Sequence, residues 1–349
     1  MNYRTSIPVG FRVQGSTPGP GGARPVSSRG SLHMEDDIRI SKEGGHSHAY
    51  QVKRVLYIVV FLSVCVALLK LGYGIFSSSE AMQADGLDSL FDSIGGIIGI
   101  IAMGMASKPA DDDHPYGHGK FETTASLIVG VILLFGAYRI ASAAVDELIS
   151  LDYDVEVTAM SYVVMAISIA AKIVITTYER RMGKKLNSEM LTADAANTLA
   201  DVLVSSGVVL GLILSQLGYP MADPIVSLAI SVVVLFTAIN IFRTGNETLS
   251  DHARIPEGEI HDIVDGFADR GICNCHKVRT RGTPSEVYVD LHVLVAPDMS
   301  VFEAHSIGKD IVSAICSAYP QVVDATVHFE PDTPEEREKA LNGDVPDID

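Results

Sequence analysis

Residues 85–92 read DGLDSLFD, and residues 194–201 read DAANTLAD. Both stretches lie in otherwise apolar or small surroundings: YIVVFLSVCVALLKLGYGIF (57–76) precedes the first and SIGGIIGIIAMGMA (93–106) follows it. Asp85, Asp88 and Asp92 are spaced i, i+3, i+7, and Asp194, Asn197 and Asp201 repeat that spacing. On a helix each set falls on one face. A charge at the centre of a bilayer costs at least about 2.5–3.5 kcal/mol, so such residues persist where they face a cavity, one another or a cation.

Spanning a bilayer takes about 20 mostly apolar residues. Six segments meet that length, roughly 54–76, 82–107, 122–147, 158–179, 189–217 and 223–243. Basic residues sort by loop. Lys53 and Arg54 precede the first span, Lys108 and Lys120 flank the second loop, Arg180, Arg181, Lys184 and Lys185 fill the fourth, and Arg243 follows the sixth. The loops SSSEAM (77–82), LISLDYDVEVT (148–158) and LGYPMAD (217–223) hold acids and neither Lys nor Arg. Positive charge stays on the cytoplasmic side, so both termini are expected there, with the chain multi-pass in the inner or plasma membrane.

The chain has 349 residues, is 47% hydrophobic and has a mean hydropathy of +0.26, as expected for a membrane bundle joined to a polar domain. A net charge of −17 argues against a nucleic-acid partner. The four cysteines (Cys65, Cys273, Cys275, Cys316) indicate no disulfide framework, and Cys273-x-Cys275 is a weak metal signal. Residues 1–50, rich in Gly, Pro, Ser and Arg, read as a disordered tail without the apolar core of a signal peptide, and Met34 is an alternative start.

After Pro256 the pattern changes to α-β-β-α-β. EGEIHDIVDGFADR (257–270) is amphipathic, HKVRTRG (276–282) and EVYVDLHVLVA (286–296) read as strands around a turn at 283–285, a helix covers about 300–319, and VVDATVHFEP (322–331) is the last strand. This predicts a small α+β domain over 253–332 behind a helical transport domain over 51–252, with an acidic, disordered tail at 333–349. Val287, Val289, Leu291, Val293 and Val295 alternate onto one face of their strand, which leaves Asp290 and His292 on the other. In the last strand Val327 and Phe329 point inward, and His328 and Glu330 outward. With His276 and His305 these residues form a candidate Zn²⁺-type group, the alternative being scattered surface histidines.

If the faces of the second and fifth spans oppose, Asp88, Asp92, Asn197 and Asp201 converge on an oxygen-only cage suited to a divalent cation. The rivals are polar gluing of helices, for which five aspartates are unusual, and a metal-free proton relay. The loop PADDDHPYGHGK (109–120) crowds Asp111, Asp112, Asp113, His114 and His118, a pattern that also suits a solvated turn.

LDSLFD (87–92), HPYGHGK (114–120) and ADAANTLAD (193–201), in this order, resemble the cation diffusion facilitator family over roughly residues 50–332. The resemblance implies a homodimer of six-helix protomers, each with a cytoplasmic metallochaperone-like, ferredoxin-like domain. It implies no enzyme activity and no catalytic cofactor, but export of divalent metal ions in exchange for protons by alternating access. It assigns transport to Asp88, Asp92, Asn197 and Asp201, and a loop site to Asp111, His114 and His118. It also assigns a cytoplasmic binuclear site to His276, His292, His305, His328 and Glu330, and a hinge ion pair to Lys120 and Asp251. Zinc-transporting relatives usually carry His where this chain has Asn197. An amide oxygen makes the cage harder and favours Mn²⁺ or Fe²⁺ over Zn²⁺, although raw affinity rises toward zinc. A zinc exporter of the same family, a proton-coupled organic-cation carrier and a metal-sensing receptor without transport are the competing expectations. Without a histidine in the cage, the exchanged protons are expected on Asp88, Asp92 and Asp201.

Overall fold

The computed structural model describes residues 30–76, 80–150, 159–217, 219 and 221–342, with the side chains of 30–47, 80–82, 84, 85, 88, 159–162, 208, 212, 215, 216, 341 and 342 left undescribed. The chain divides into two compact units, Met1–Arg39 and Ile40–Asp349, and the second carries the helical bundle and the sheet.

Six long helices come first: α1 (Gly30–Phe76), α2 (Glu80–Ala106), α3 (Lys120–Ser150), α4 (Ala159–Leu186), α5 (Glu189–Gln216) and α6 (Ala222–Leu249). Five of them are long and apolar enough to cross a membrane. The exception is α4, which is 28 residues long and carries Lys172, Glu179, Arg180 and Arg181 in its apolar run. It nevertheless packs along α5, as α3 packs along α6 and α2 against α3. Large apolar side chains such as Phe61, Ile101, Phe135 and Phe236 are exposed on the outer surface of the bundle, as a lipid-facing exterior requires. A small core of Val52, Leu56, Val129, Met190, Leu191 and Ala238 lies inside.

The chain continues as α7 (Glu257–Asp265), a 3-10 turn (Ala268–Arg270), β1 (Ile272–Gly282), β2 (Val287–Val295), α8 (Val301–Ala318), β3 (Val322–Pro331) and α9 (Pro334–Asn342). The sheet order is β1-β2-β3, with β1 antiparallel and β3 parallel to β2. Gly282, at φ +120°, starts the hairpin turn, where Thr283 N donates to Glu286 O. Ser300 and Glu303 form a reciprocal cap that starts α8. The apolar faces of α7 and α8 (Ile260, Val264, Ile307, Ile311, Ile315) close over Val287, Val289, Leu291 and Val293 in one core. Histidines of the strands are thereby left on the opposite face.

Three expectations are corrected. Residues 30–50, expected in the disordered tail, continue the first helix, since no Pro lies between positions 25 and 109 and the run MEDDIRISKE (34–43) holds helix-compatible residues. Part of the acidic tail is α9: Thr333 Oγ1 accepts from Glu336 N, Pro334 opens the helix, Glu335 and Glu336 fill its first turn, and Lys339 pairs with both. Finally, β1 begins at Ile272 rather than at 276. Its bulge, with Lys277 at φ +49° and a register shift between His276 and Arg279, interrupts the alternation that marks a strand in sequence.

Ile311→Ala empties a fully buried position and is expected to destabilise the C-terminal domain by about 2–5 kcal/mol. Hydrogen–deuterium exchange on the full-length protein should show faster exchange in β2 and unchanged protection in α2–α6.

Candidate metal centres

Inside the bundle, α2 supplies Asp92 and α5 supplies Asn197 and Asp201. Asp92 and Asp201 do converge, and between them stands Lys172 of α4. Its Nζ donates to Asp201 Oδ2 at 3.1 Å and lies 3.5 Å from Asp92 Oδ2. Asn197 is buried one turn from Asp201. The Asp88 side chain lies outside the described residues. Sequence reasoning missed Lys172, though a lysine midway along an apolar segment is itself a signal.

Two further buried groups also went unread. Lys70 of α1 is 2% exposed and donates to Ser89 Oγ at 3.2 Å. Glu179 of α4 is fully buried, has neither oxygen hydrogen-bonded, and faces Asp194. Asp194 lies against the bare backbone of α2. A Cβ on Gly95 or Gly96 would come within 3.0 and 3.2 Å of its carboxylate oxygens, so these glycines permit its burial.

The ends of the helices nearest the sheet are tied by a polar network. His48 of α1 sits 3.2 Å from Glu122 of α3, which also accepts from Ser188 Oγ and Met190 N at the start of α5. Glu189 accepts from Thr248 of α6, and Thr248 is met by Arg254 of the segment leading to α7. Arg254 continues into the sheet, donating from Nε to Gly282 O at 2.9 Å and from its backbone N to Thr280 Oγ1 at 2.8 Å. Burial pushes Glu286 up, against the charge of His48. Lys120 Nζ donates to Asp251 Oδ1 at 2.9 Å, with both side chains about half exposed, and Asp251 itself takes a φ of +54°.

The loop between α2 and α3 turns at Pro115 and Gly117, the latter at φ +81°. This brings three side chains together. Asp111 Oδ1 accepts from His114 N at 2.7 Å and lies 3.1 Å from its Nδ1, while Asp111 Oδ2 is 3.5 Å from His118 Nε2. The backbone hydrogen bond from His114 is the main cause holding Asp111 below the usual carboxylate range. His118 is buried, and its Nδ1 has no hydrogen-bond partner. Asp112 and Asp113 stay exposed and outside the group. The loop docks on the sheet through Tyr116. Tyr288 Oη donates to Tyr116 O at 2.8 Å, and the Arg281 guanidinium lies 4.7 Å from the Tyr116 ring centroid.

On the open face of the sheet the register puts His276 opposite His292 and His292 opposite His328, a row across three strands with ring centroids 5.4 and 4.6 Å apart. Glu330 lies under the row. Its Oε1 is 2.9 Å from His292 Nδ1 and 3.7 Å from His328 Nε2, and its Oε2 is 3.1 Å from His276 Nε2 without the geometry of a hydrogen bond. Donor atoms of His276, His292 and Glu330 lie within 4.8 Å of one another. Burial lowers the His276 pKa despite the nearby carboxylate. Burial would raise Glu330, but the hydrogen bond from His292 and the imidazole charges hold it below the ordinary range. A neutral imidazole and an ionised carboxylate, with His276 Nδ1 and Glu330 Oε2 buried and unbonded, fit a divalent metal ion.

His305 does not join this group. The buried stripe of α8 runs through Ala304, Ile307, Gly308 and Ile311, and His305 falls beside it, exposed on the helix that covers the apolar side of the sheet. Asp290, in register with Arg279, also lies outside it. Cys273 and Cys275 are free thiols, and burial pushes Cys275 up to about 12, which makes it a poor metal ligand.

Residues 56–250 match the cation efflux transmembrane domain, and residues 255–332 match the cytoplasmic domain of cation efflux proteins. An uncharacterized transporter of Methanocaldococcus jannaschii is 34% identical over 260 residues, 74% of this chain and 90% of that protein. The manganese efflux system protein MneS of Bacillus subtilis is 28% identical, covering 70% and 84% of the two chains. The cation-efflux pump FieF of Cronobacter sakazakii is 25% identical over 82% of this chain and 95% of that one. With both of its parts matched in order, the chain belongs to the cation diffusion facilitator family, the multi-pass membrane proteins of divalent metal cation efflux.

Proposed function

We propose that this protein exports Mn²⁺ or Fe²⁺ from the cytoplasm in exchange for protons, as a homodimer working by alternating access, with both termini cytoplasmic. The observation that carries this reading is the convergence of Asp92 and Asp201 on the Lys172 ammonium inside the bundle, with Asn197 buried one turn away. Asp88, one helical turn before Asp92 in the chain, is the remaining member of the expected set. Carboxylates with an amide, and no imidazole, form a hard site that suits Mn²⁺ or Fe²⁺. The similarity to a protein named for manganese efflux supports the same choice. The protons ride on the carboxylates, because an amide does not titrate.

The cytoplasmic row of His276, His292 and His328 with Glu330 serves as a metal-sensing site, and Asp111, His114 and His118 as a second peripheral site. A cation bound at these acidic surfaces draws two protomers together, since faces of like charge repel until it bridges them. Lys120–Asp251 acts as the joint between bundle and cytoplasmic domain. The second reading is a zinc exporter, favoured by the imidazole-rich sheet face.

Proteoliposomes with an imposed pH gradient separate the two. The wild type is expected to take up Mn²⁺ or Fe²⁺ in preference to Zn²⁺, and Asn197→His to shift the preference toward Zn²⁺. Zn²⁺ uptake equal to or better than that of Mn²⁺ by the wild type would make the protein a zinc exporter.

The cytoplasmic site is tested by metal binding to the purified full-length protein. His292→Ala removes the centre of the row and should lower bound Zn²⁺ by at least one equivalent per protomer. Affinity should fall as pH drops from 7.5 to 5.5, because the imidazoles must be neutral to ligate. His276, held low by burial, should be among the last of the row to protonate.

Lys120→Ala breaks a half-exposed pair and should change stability by less than about 1 kcal/mol, while slowing transport. Equal slowing of transport and large loss of thermal stability would instead make the pair structural.

A further inference from the structure

Lys172 occupies the position between Asp92 and Asp201 that a cargo cation would take. Its side chain is 8% exposed, its Nζ contacts one oxygen of each carboxylate, and it comes from α4, a different helix from the two that supply the carboxylates. Two carboxylates brought together among apolar helices repel, so a positive charge beside them lowers the cost. The ammonium supplies that charge. A divalent cation entering the same space meets that charge within a few ångströms. In a medium of low dielectric the two cations cannot share the carboxylates. Binding of cargo and pairing of Lys172 therefore exclude each other.

Resting on the reading that Asp92 and Asp201 hold the transported cation, we propose that Lys172 is a tethered competing cation: in the unloaded carrier it offsets one of the two carboxylate charges, the exchanged protons meeting the rest; it is displaced when metal binds and returns when metal leaves. Charge alone gives this two consequences. The lysine lowers the apparent affinity for metal by competing for the same oxygens, which helps release. It also lowers the negative charge of the unloaded bundle, so that the helices can return with less uncompensated carboxylate charge inside. Lys172 is thus a positioning residue for the return half of the cycle. Monovalent cations, with the charge of the ammonium but without its tether, compete poorly, which adds to selection for divalent ions.

The test uses the full-length protein in proteoliposomes, with Mn²⁺ and Zn²⁺ as probes and Lys172→Met and Lys172→Arg as variants. Three quantities are read: equilibrium metal binding by calorimetry, exchange with metal on both sides of the membrane, and net uptake under a pH gradient. Metal–metal exchange needs only the loaded carrier to reorient; net uptake also needs the unloaded one to return. For Lys172→Met, the binding constant should tighten about tenfold, exchange should stay near the wild-type rate, and net uptake should fall at least tenfold. Lys172→Arg keeps the charge and the pairing, and should retain wild-type affinity and most of the net uptake. Unchanged or weaker binding in Lys172→Met would overturn the proposal, as would equal loss of exchange and net uptake. If Lys172→Met fails to fold, Lys172→Arg decides: tightened binding or lost net uptake in that variant would refute a role carried by charge. Should the wild type show neither exchange nor uptake of either metal, the transport reading itself fails, an outcome distinct from any effect of Lys172.

Discussion

Carboxylates brought together within an apolar helical bundle demand a positive partner, and much of this structure is an answer to that demand. Asp92 and Asp201 come from different helices, α2 and α5, and like charges on facing helices would drive them apart. Lys172 reaches in from α4 and joins them. Three helices are thereby held around one point by charge, in a region where hydrophobic burial distinguishes little between helix and lipid.

The cytoplasmic ends of the helices are organised differently. There Glu122 and Glu189 accept hydrogen bonds from Ser188, Met190 and Thr248, and Arg254 carries the network from α6 into the sheet. The connection between bundle and cytoplasmic domain is thus a chain of polar contacts with few apolar ones, and the Lys120–Asp251 pair and the Tyr116–Tyr288 contact reinforce it.

The cytoplasmic site depends on strand register. His276, His292 and His328 are far apart in sequence but directly opposite one another on three neighbouring strands, and Glu330 sits under all three. A shift of one residue in either pairing would turn a histidine into the apolar core. The hydrophobic alternation of β2, matched by α7 and α8 on one side, fixes which way the row faces. The bulge at Lys277 is where β1 changes its alternation, immediately after placing His276.

Much of this was legible in the chain itself. Local patterns carry their own physics: 20-residue apolar runs, carboxylates at i, i+3, i+7, and strict alternation in EVYVDLHVLVA determined the helical bundle, the polar faces of α2 and α5, and the outward direction of His292 and His328. What the tertiary structure decided were relations between elements. Lys172 reads as a stray charge until α4 is laid against α5. Glu179 gains meaning only by facing Asp194. His305 shares its residue type with the row, but its place on α8 depends on which stripe of the helix the sheet covers. Periodicity specifies the face of an element, whereas the partner of that face is set by packing between segments distant in sequence, and no local pattern encodes it.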